Sequence, residues 1–151
     1  MKKVFFYLLS PPIAGQTTDA LLTDYEQLAC QKIAAFWQQQ KRILVACQTQ
    51  QQAEKLDEYL WQLDAEHFIP HNLAGEGPRM GAPVELCWPQ RRSNTPREIL
   101  INLQYDYAPF MAIFNDIIDF VPTEETLKSL ARTRYNAYKQ AGFNLKTINV
   151  D

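Results

Sequence analysis

The sequence predicts an α/β domain with a largely parallel sheet and helices covering both of its faces, and three observations lead there. Hydrophobic periodicity switches repeatedly between strand-like and helix-like along the chain. The first two strand-like runs, Val4 to Leu9 and Arg42 to Cys47, are continuously apolar rather than alternating, as in strands buried on both faces. The 151 residues, 46% of them hydrophobic, match one ordinary globular domain without repeats or an internal boundary. A chain of that length buries roughly 68–70% of its unfolded surface and needs no disulfide or metal staple.

Each element has its own signal. After the first strand and a Pro/Gly turn, Asp19 to about Gln39 carries Leu21, Leu22, Tyr25, Leu28, Ala29, Ile33 and Phe36 at helical spacing. The strand at Arg42 to Cys47 follows. Thr49 is placed to cap a second helix reaching about Leu63, with Ala53, Leu56, Tyr59, Leu60 and Leu63 facing inward. The stretch from Phe68 to Pro83 gathers three of the five glycines and three of the nine prolines. A loop that long in a small domain is usually functional. Val84 to Trp88 and Ile99 to Leu103 read as strands separated by a polar turn. Tyr107 to about Asn115 reads as a short helix and Ile117 to Val121 as the last strand. Thr123 to Ala141 then forms the final helix, closed by Gly142. The glutamine clusters at 38–40 and 50–52 fit solvated helix ends.

Composition excludes several function classes. Fifteen Lys and Arg against 17 Asp and Glu give a formal charge of −2, which does not support a protein that tracks nucleic-acid phosphates. Cys30, Cys47 and Cys87 form no C-x-x-C pair and read as reduced, buried thiols of a cytoplasmic protein. The apolar N-terminal run is shorter than a secretory h-region, and no stretch approaches a transmembrane span.

Catalytic and cofactor motifs are absent where an α/β sheet would carry them. There is no G-x-x-x-x-G-K-[ST], and the turn after the first strand lacks the glycine spacing that brings backbone N–H groups to a pyrophosphate. Gly75, Gly77 and Gly81 are wrongly spaced and lead into a strand. Asp57 and Glu58 sit inside a helix, where a solvated face accounts for them more simply than an ATPase pair. His67 and His71 have the i, i+4 spacing of zinc ligands, but Pro70 spoils the helix and no third ligand is near. No G-x-S-x-G elbow exists. The catalytic, cofactor and metal assignments are therefore none, and binding becomes the leading class.

The final helix adds a positive signal. At about 100° per residue, Lys128, Arg132, Tyr135 and Lys139 share one narrow arc, while Leu127, Leu130, Ala131, Ala137, Tyr138 and Ala141 lie on the other side. By pattern alone a solvated face explains this stripe more readily. It would also suit a carboxylate and a hydrophobic side chain beside the tyrosine ring. Arg134 points into the apolar arc, which calls for an acidic core partner. Trp61 lies off the stripe of its helix, and with Phe68 and the Pro-rich segment it offers a second surface, although roofing the core explains it equally well.

Several blocks together carry a resemblance: Lys41-Arg42-Ile43-Leu44-Val45-Ala46-Cys47, Pro70-His71-Asn72-Leu73-Ala74-Gly75-Glu76-Gly77-Pro78-Arg79, Gly81-Ala82-Pro83-Val84-Glu85, Trp88-Pro89-Gln90, Asp119-Phe120-Val121-Pro122 and Ala141-Gly142-Phe143-Asn144-Leu145. Over almost the whole chain the sequence resembles the chi subunits of bacterial DNA polymerase III. The resemblance implies a single Rossmann-like three-layer domain over residues 1–151, acting in the cytoplasm without nucleotide or metal. It also implies an accessory role at the clamp loader, with two partners: the psi subunit and the acidic, phenylalanine-ending tail of single-stranded DNA-binding protein. Direct sequence-specific binding to nucleic acid is not implied. Carried over by position, the tail site comprises Lys128, Arg132 and Tyr135, with Val121 as a wall. Asn136 stands where the best-known relative has lysine, a charge that Lys139 could replace. Trp61 and Phe68 correspond to positions for psi, and for an accessory helicase competing at that face. A diverged nucleotide-binding enzyme of Rossmann-like fold is the alternative.

Overall fold

The computed structural model describes residues 2–10, 22–62, 69–76, 82–93 and 97–150. His67, Phe68, Gly77 and Gly81 lie outside them. The described elements run β1 (Lys3–Leu8), α1 (Asp24–Gln38), β2 (Ile43–Ala46), α2 (Gln50–Trp61), β3 (His71–Leu73), β4 (Val84–Cys87), β5 (Ile99–Asn102), a 3-10 helix (Pro109–Ile113), β6 (Asp116–Val121), α3 (Glu125–Gln140) and β7 (Asn144–Asn149). The seven strands form one sheet in the order β3-β4-β2-β5-β6-β1-β7, with every neighbouring pair parallel. This is the predicted class in a stricter form.

Strand alternation builds the three layers. Ile43 and Val45 of β2 join α1 (Ala29, Cys30, Ile33) and α2 (Ala53, Leu56, Leu60) in one core. Leu44 and Ala46 point the other way and join Val4 and Phe6 of β1, Met111 of the 3-10 helix, and Ala131 and Tyr138 of α3. All four residues of β2, β4 and β5 are buried; β2 is apolar throughout, whereas β4 and β5 each bury one polar residue, Glu85 and Asn102, and satisfy it by hydrogen bonds. All three cysteines are free and buried, and burial pushes the Cys30 and Cys87 thiols up to about 12. Such thiols are protonated and inert at neutral pH.

Three expectations need correction. The predicted start at Asp19 lies outside the described residues; Leu22 and Thr23 are not helical, and α1 starts at Asp24 because Thr23 and Glu26 close a capping box there: Glu26 Oε1 accepts from the Thr23 N–H at 2.9 Å and Thr23 Oγ1 accepts from the Glu26 N–H at 3.4 Å. Inside the Pro/Gly segment, His71–Leu73 is a short strand paired with β4. Ile117 to Val121 is not the last strand. Gly142, at φ +94°, ends α3 as expected, and the chain then adds β7 beside β1. In β7 every residue but Leu145 is exposed, so no apolar periodicity announces it.

The glutamine clusters also differ from each other. Gln38 to Gln40 are exposed, but Gln52 is buried: its Oε1 accepts from the Gln48 N–H at 2.7 Å and its amide donates to Glu26 Oε2 at 2.9 Å. Lys55 reaches the same carboxylate at 3.2 Å, so Glu26 ties α1 to α2. Burial pushes the Glu26 pKa up, but the Thr23, Gln52 and Lys55 contacts outweigh it and the net shift is downward. A lowered folded-state pKa contributes stability above the ordinary glutamate range, and that contribution is lost as pH falls through the folded value. Glu26→Gln is therefore expected to lower the urea midpoint at pH 7, with the difference from wild type shrinking below about pH 4. Parallel midpoints for the two proteins at every pH would contradict it.

Candidate functional site

The C-terminal half of β1 and the first three turns of α3 enclose a concave pocket of about 550 Å³. Parallel pairing sets its floor. Phe6 is in register with Thr147 of β7 and Leu8 with Val121 of β6, so these side chains project from one face of the sheet in two adjacent rows. The wall comes from α3, where Lys128, Ala131, Arg132, Tyr135 and Asn136 follow the i, i+3, i+4 spacing of one helix face. Buried Ala131 lets the helix approach the sheet, and the Tyr135 ring lies 5.6 Å from that of Phe6. Tyr135 remains 38% exposed, so its outer face is open to a partner.

The cations at this rim are weakly committed. Lys128 Nζ is 3.9 Å from Glu125, itself almost fully solvated, and such a pair contributes little. Arg132 is exposed and has no acidic partner among the described residues. The structure thus brings together Val121, Lys128, Arg132, Tyr135 and Asn136. Lys139 is exposed on the same helix face one turn farther on and does not line the pocket. Phe6, Leu8, Ala131 and Thr147 are lining residues that the sequence did not reveal. Phe6 and Leu8 belong to a buried-looking run, and Thr147 lies on the strand that the pattern missed.

Beneath the pocket, α3 is pinned to the sheet by Arg134. Its Nε and Nη2 each donate to Asp119 at 3.0 Å in a bidentate pair, and its Nη1 donates to the Tyr105 carbonyl at 2.8 Å. Asp119 also accepts from the Tyr138 hydroxyl at 2.8 Å and the Asn102 amide at 3.2 Å. The acidic core partner that Arg134 required is therefore Asp119. Burial works against the Arg134 charge, but Asp119 outweighs it and holds the guanidinium pKa above its ordinary value. Burial, and then the Asp119 charge, push the Tyr138 hydroxyl well above its usual range. The adjoining crevice, lined by Asn102 and Gln104, measures about 10 Å³, the room of a single water.

On the far side of the sheet, Trp61 at the end of α2 is 57% exposed, with its ring 4.9 Å from that of His71. His71 is buried, with Nδ1 2.7 Å from the Ile69 carbonyl and Nε2 3.2 Å from Asp57. Asp57 is therefore not simply part of a solvated helix face, although Glu58 is exposed. Burial raises the Asp57 pKa against the attraction of His71. Among the described residues no three His, Cys, Asp or Glu side chains gather as metal ligands, and no helix is long and apolar enough to cross a membrane.

An all-parallel sheet with helices on both faces, and an apolar-floored cationic pocket near its edge, defines a Rossmann-like α/β protein. The family model described as "DNA polymerase III chi subunit, HolC" matches residues 1–146. The chain belongs to the DNA polymerase III chi subunit family. It is 53% identical over 147 residues to the DNA polymerase III subunit chi of Escherichia coli, with 97% of each chain covered. It is 40% identical to the subunit chi of Haemophilus influenzae over 99% of this chain and 98% of that one. The subunit chi of Pseudomonas aeruginosa is 32% identical over 80% of this chain and 82% of its own length. Among solved structures, a chain from "The crystal structure of T4 UvsW" aligns with a TM-score of 0.67 at 11% identity, covering 99% of this chain and 41% of that one. That likeness concerns the fold alone.

Proposed function

We propose that this chain is a non-catalytic accessory subunit of the DNA polymerase III holoenzyme. It links the clamp loader, through the psi subunit, to the acidic C-terminal tail of single-stranded DNA-binding protein, working in the cytoplasm as one domain over residues 1–151. Family membership supports the holoenzyme role. The observation that carries the tail assignment is the pocket, where Lys128 and Arg132 flank a floor of Phe6, Leu8 and Val121. A terminal carboxylate needs charge-assisted donors, and an aromatic terminal side chain needs a shallow apolar recess. Both lie within one site of suitable size.

A titration with two fluorescent acidic nonapeptides, one ending in Phe and the other in Ala, tests this. The Phe peptide is expected to bind at least tenfold more tightly, since burying an aromatic side chain stabilises by about 1.5–3 kcal/mol. Raising salt from about 0.05 to 0.5 M should weaken both, because exposed charges are screened. Equal affinities, or a complex indifferent to salt, would remove the assignment.

The psi assignment rests on Trp61, a large exposed aromatic of the kind that anchors interfaces. Phe68 belongs to the same proposal, as does an accessory helicase competing for that face. Trp61→Ala is expected to cost at least about 2 kcal/mol in psi affinity and to leave the domain folded. Wild-type co-purification of psi with this variant would refute it.

A further inference from the structure

The pocket opens onto an unfinished edge of the sheet. Its Thr147 belongs to β7, which is outermost in the sheet and among the described residues pairs with β1 alone. In parallel pairing the N–H and C=O of one residue point to the same side, and the side alternates along the strand. The Asn144 N–H donates to the Lys2 carbonyl and the Val150 N–H to the Leu8 carbonyl. Residues 144, 146, 148 and 150 therefore face β1, while Leu145, Thr147 and Asn149 turn their main-chain groups outward. No described residue bonds those groups, and the strand is exposed at every position but Leu145.

Such an edge is a template for another strand unless it is short, bulged, interrupted by proline or guarded by a charge that repels the incoming strand. Here it runs for six residues without proline, and its register with β1 has no bulge. Its one charge is Lys146, which has no ion-pair partner among the described residues. The Lys146 side chain projects from the face away from α3, in register with Phe5, while Lys128 and Arg132 stand on the pocket face beside Thr147, so cations flank this edge on both sides. The shared positive sign of Lys146, Lys128 and Arg132 favours an acidic strand over a second copy of this edge, which carries the same sign.

We propose that an acidic peptide seated by its apolar terminus in the pocket continues along β7 as an eighth strand. Its main chain pairs with Leu145, Thr147 and Asn149, and a carboxylate lies within reach of Lys146. The proposal rests on the peptide assignment of the pocket and adds how the upstream residues are held. From Leu145 to Asn149 the edge extends about 13 Å, so about four or five peptide residues beyond the terminus contribute, and affinity stops rising with longer peptides.

Amide hydrogen exchange on the full chain, with and without a saturating acidic nonapeptide ending in Phe, tests this. The amides of Leu145, Thr147 and Asn149 are expected to slow by about tenfold or more, while those of Lys146 and Ile148, already bonded to β1, change little. Methylating one peptide nitrogen four residues from the terminus should weaken binding about three- to tenfold. Asn149→Pro removes an outward N–H without breaking a β1–β7 bond and should weaken binding by a similar factor. If the peptide binds but the edge amides stay unprotected and methylation has no effect, strand addition is wrong while the pocket assignment survives. If the peptide does not bind at all, the pocket assignment itself fails and takes this proposal with it. Concentration-dependent protection of the edge without peptide would assign it to a second copy and overturn the proposal.

Discussion

Replacing Asp119 by alanine is expected to destabilise the domain by about 3–5 kcal/mol, the cost of leaving a buried charge without its partner. Arg134 is 6% exposed and Asp119 is fully buried, so water cannot replace the lost carboxylate. The loss spreads further, because Asp119 also anchors the Tyr138 hydroxyl and the Asn102 amide. Urea unfolding measures it directly. A loss below about 1 kcal/mol would place the pair in the class of solvated surface bridges. The double variant Asp119→Leu with Arg134→Met should recover much of the loss, since removing both charges leaves neither unpaired. Residual folded Asp119→Ala should also bind the acidic peptide more weakly. Arg134 joins α3 to β6 and so sets the height of Lys128, Arg132 and Tyr135 above the sheet.

The double variant Lys128→Ala, Arg132→Ala is expected to lose about 100-fold or more in affinity for the Phe-ending acidic peptide. Each hydrogen bond to a charged group contributes about 1.5–3 kcal/mol, and tenfold in affinity is about 1.4 kcal/mol. Lys128 is half-buried and Arg132 exposed at the pocket rim, and neither holds a buried partner among the described residues, so stability should change by less than about 0.5 kcal/mol per site. Binding should fall while the thermal midpoint stays in place, and the remaining affinity should depend less on salt. Unchanged affinity in a folded double variant would mean that the pocket does not hold the carboxylates.

Much of the fold can be read directly from the chain, and the reasons are local. The central strands are buried on both faces, so they read as dense apolar runs, broken only where Glu85, Asn102 and Asp119 are buried with partners. The helices bury one stripe each, so the 3.6-residue period shows, and Thr49 and Gly142 mark their ends. Two strands escape this logic. β3 is three residues long and lies among glycines and prolines, while β7 exposes nearly every side chain and is held by backbone bonds to β1. Backbone bonding leaves no trace in side-chain periodicity.

The candidate site divides the same way. The cationic arc of Lys128, Arg132 and Tyr135 is visible because all three lie on one helix. Phe6, Leu8 and Thr147 are not visible, because only parallel register places them beneath that helix.

The charge of −2 belongs to the sequence alone, and so does its distribution: residues 123–151 hold five basic and three acidic side chains, leaving the rest of the chain at −4. Composition, helix phases, central strands and the need of Arg134 for a buried anion are likewise properties of the chain, each set by neighbours within a few residues. Tertiary structure decided that the anion is Asp119, that the cationic arc overlies an apolar recess, and that the recess ends at β7, the outermost of the described strands. Each of these depends on which distant segments lie side by side, and that is settled only when the strands pair and the helix packs across them.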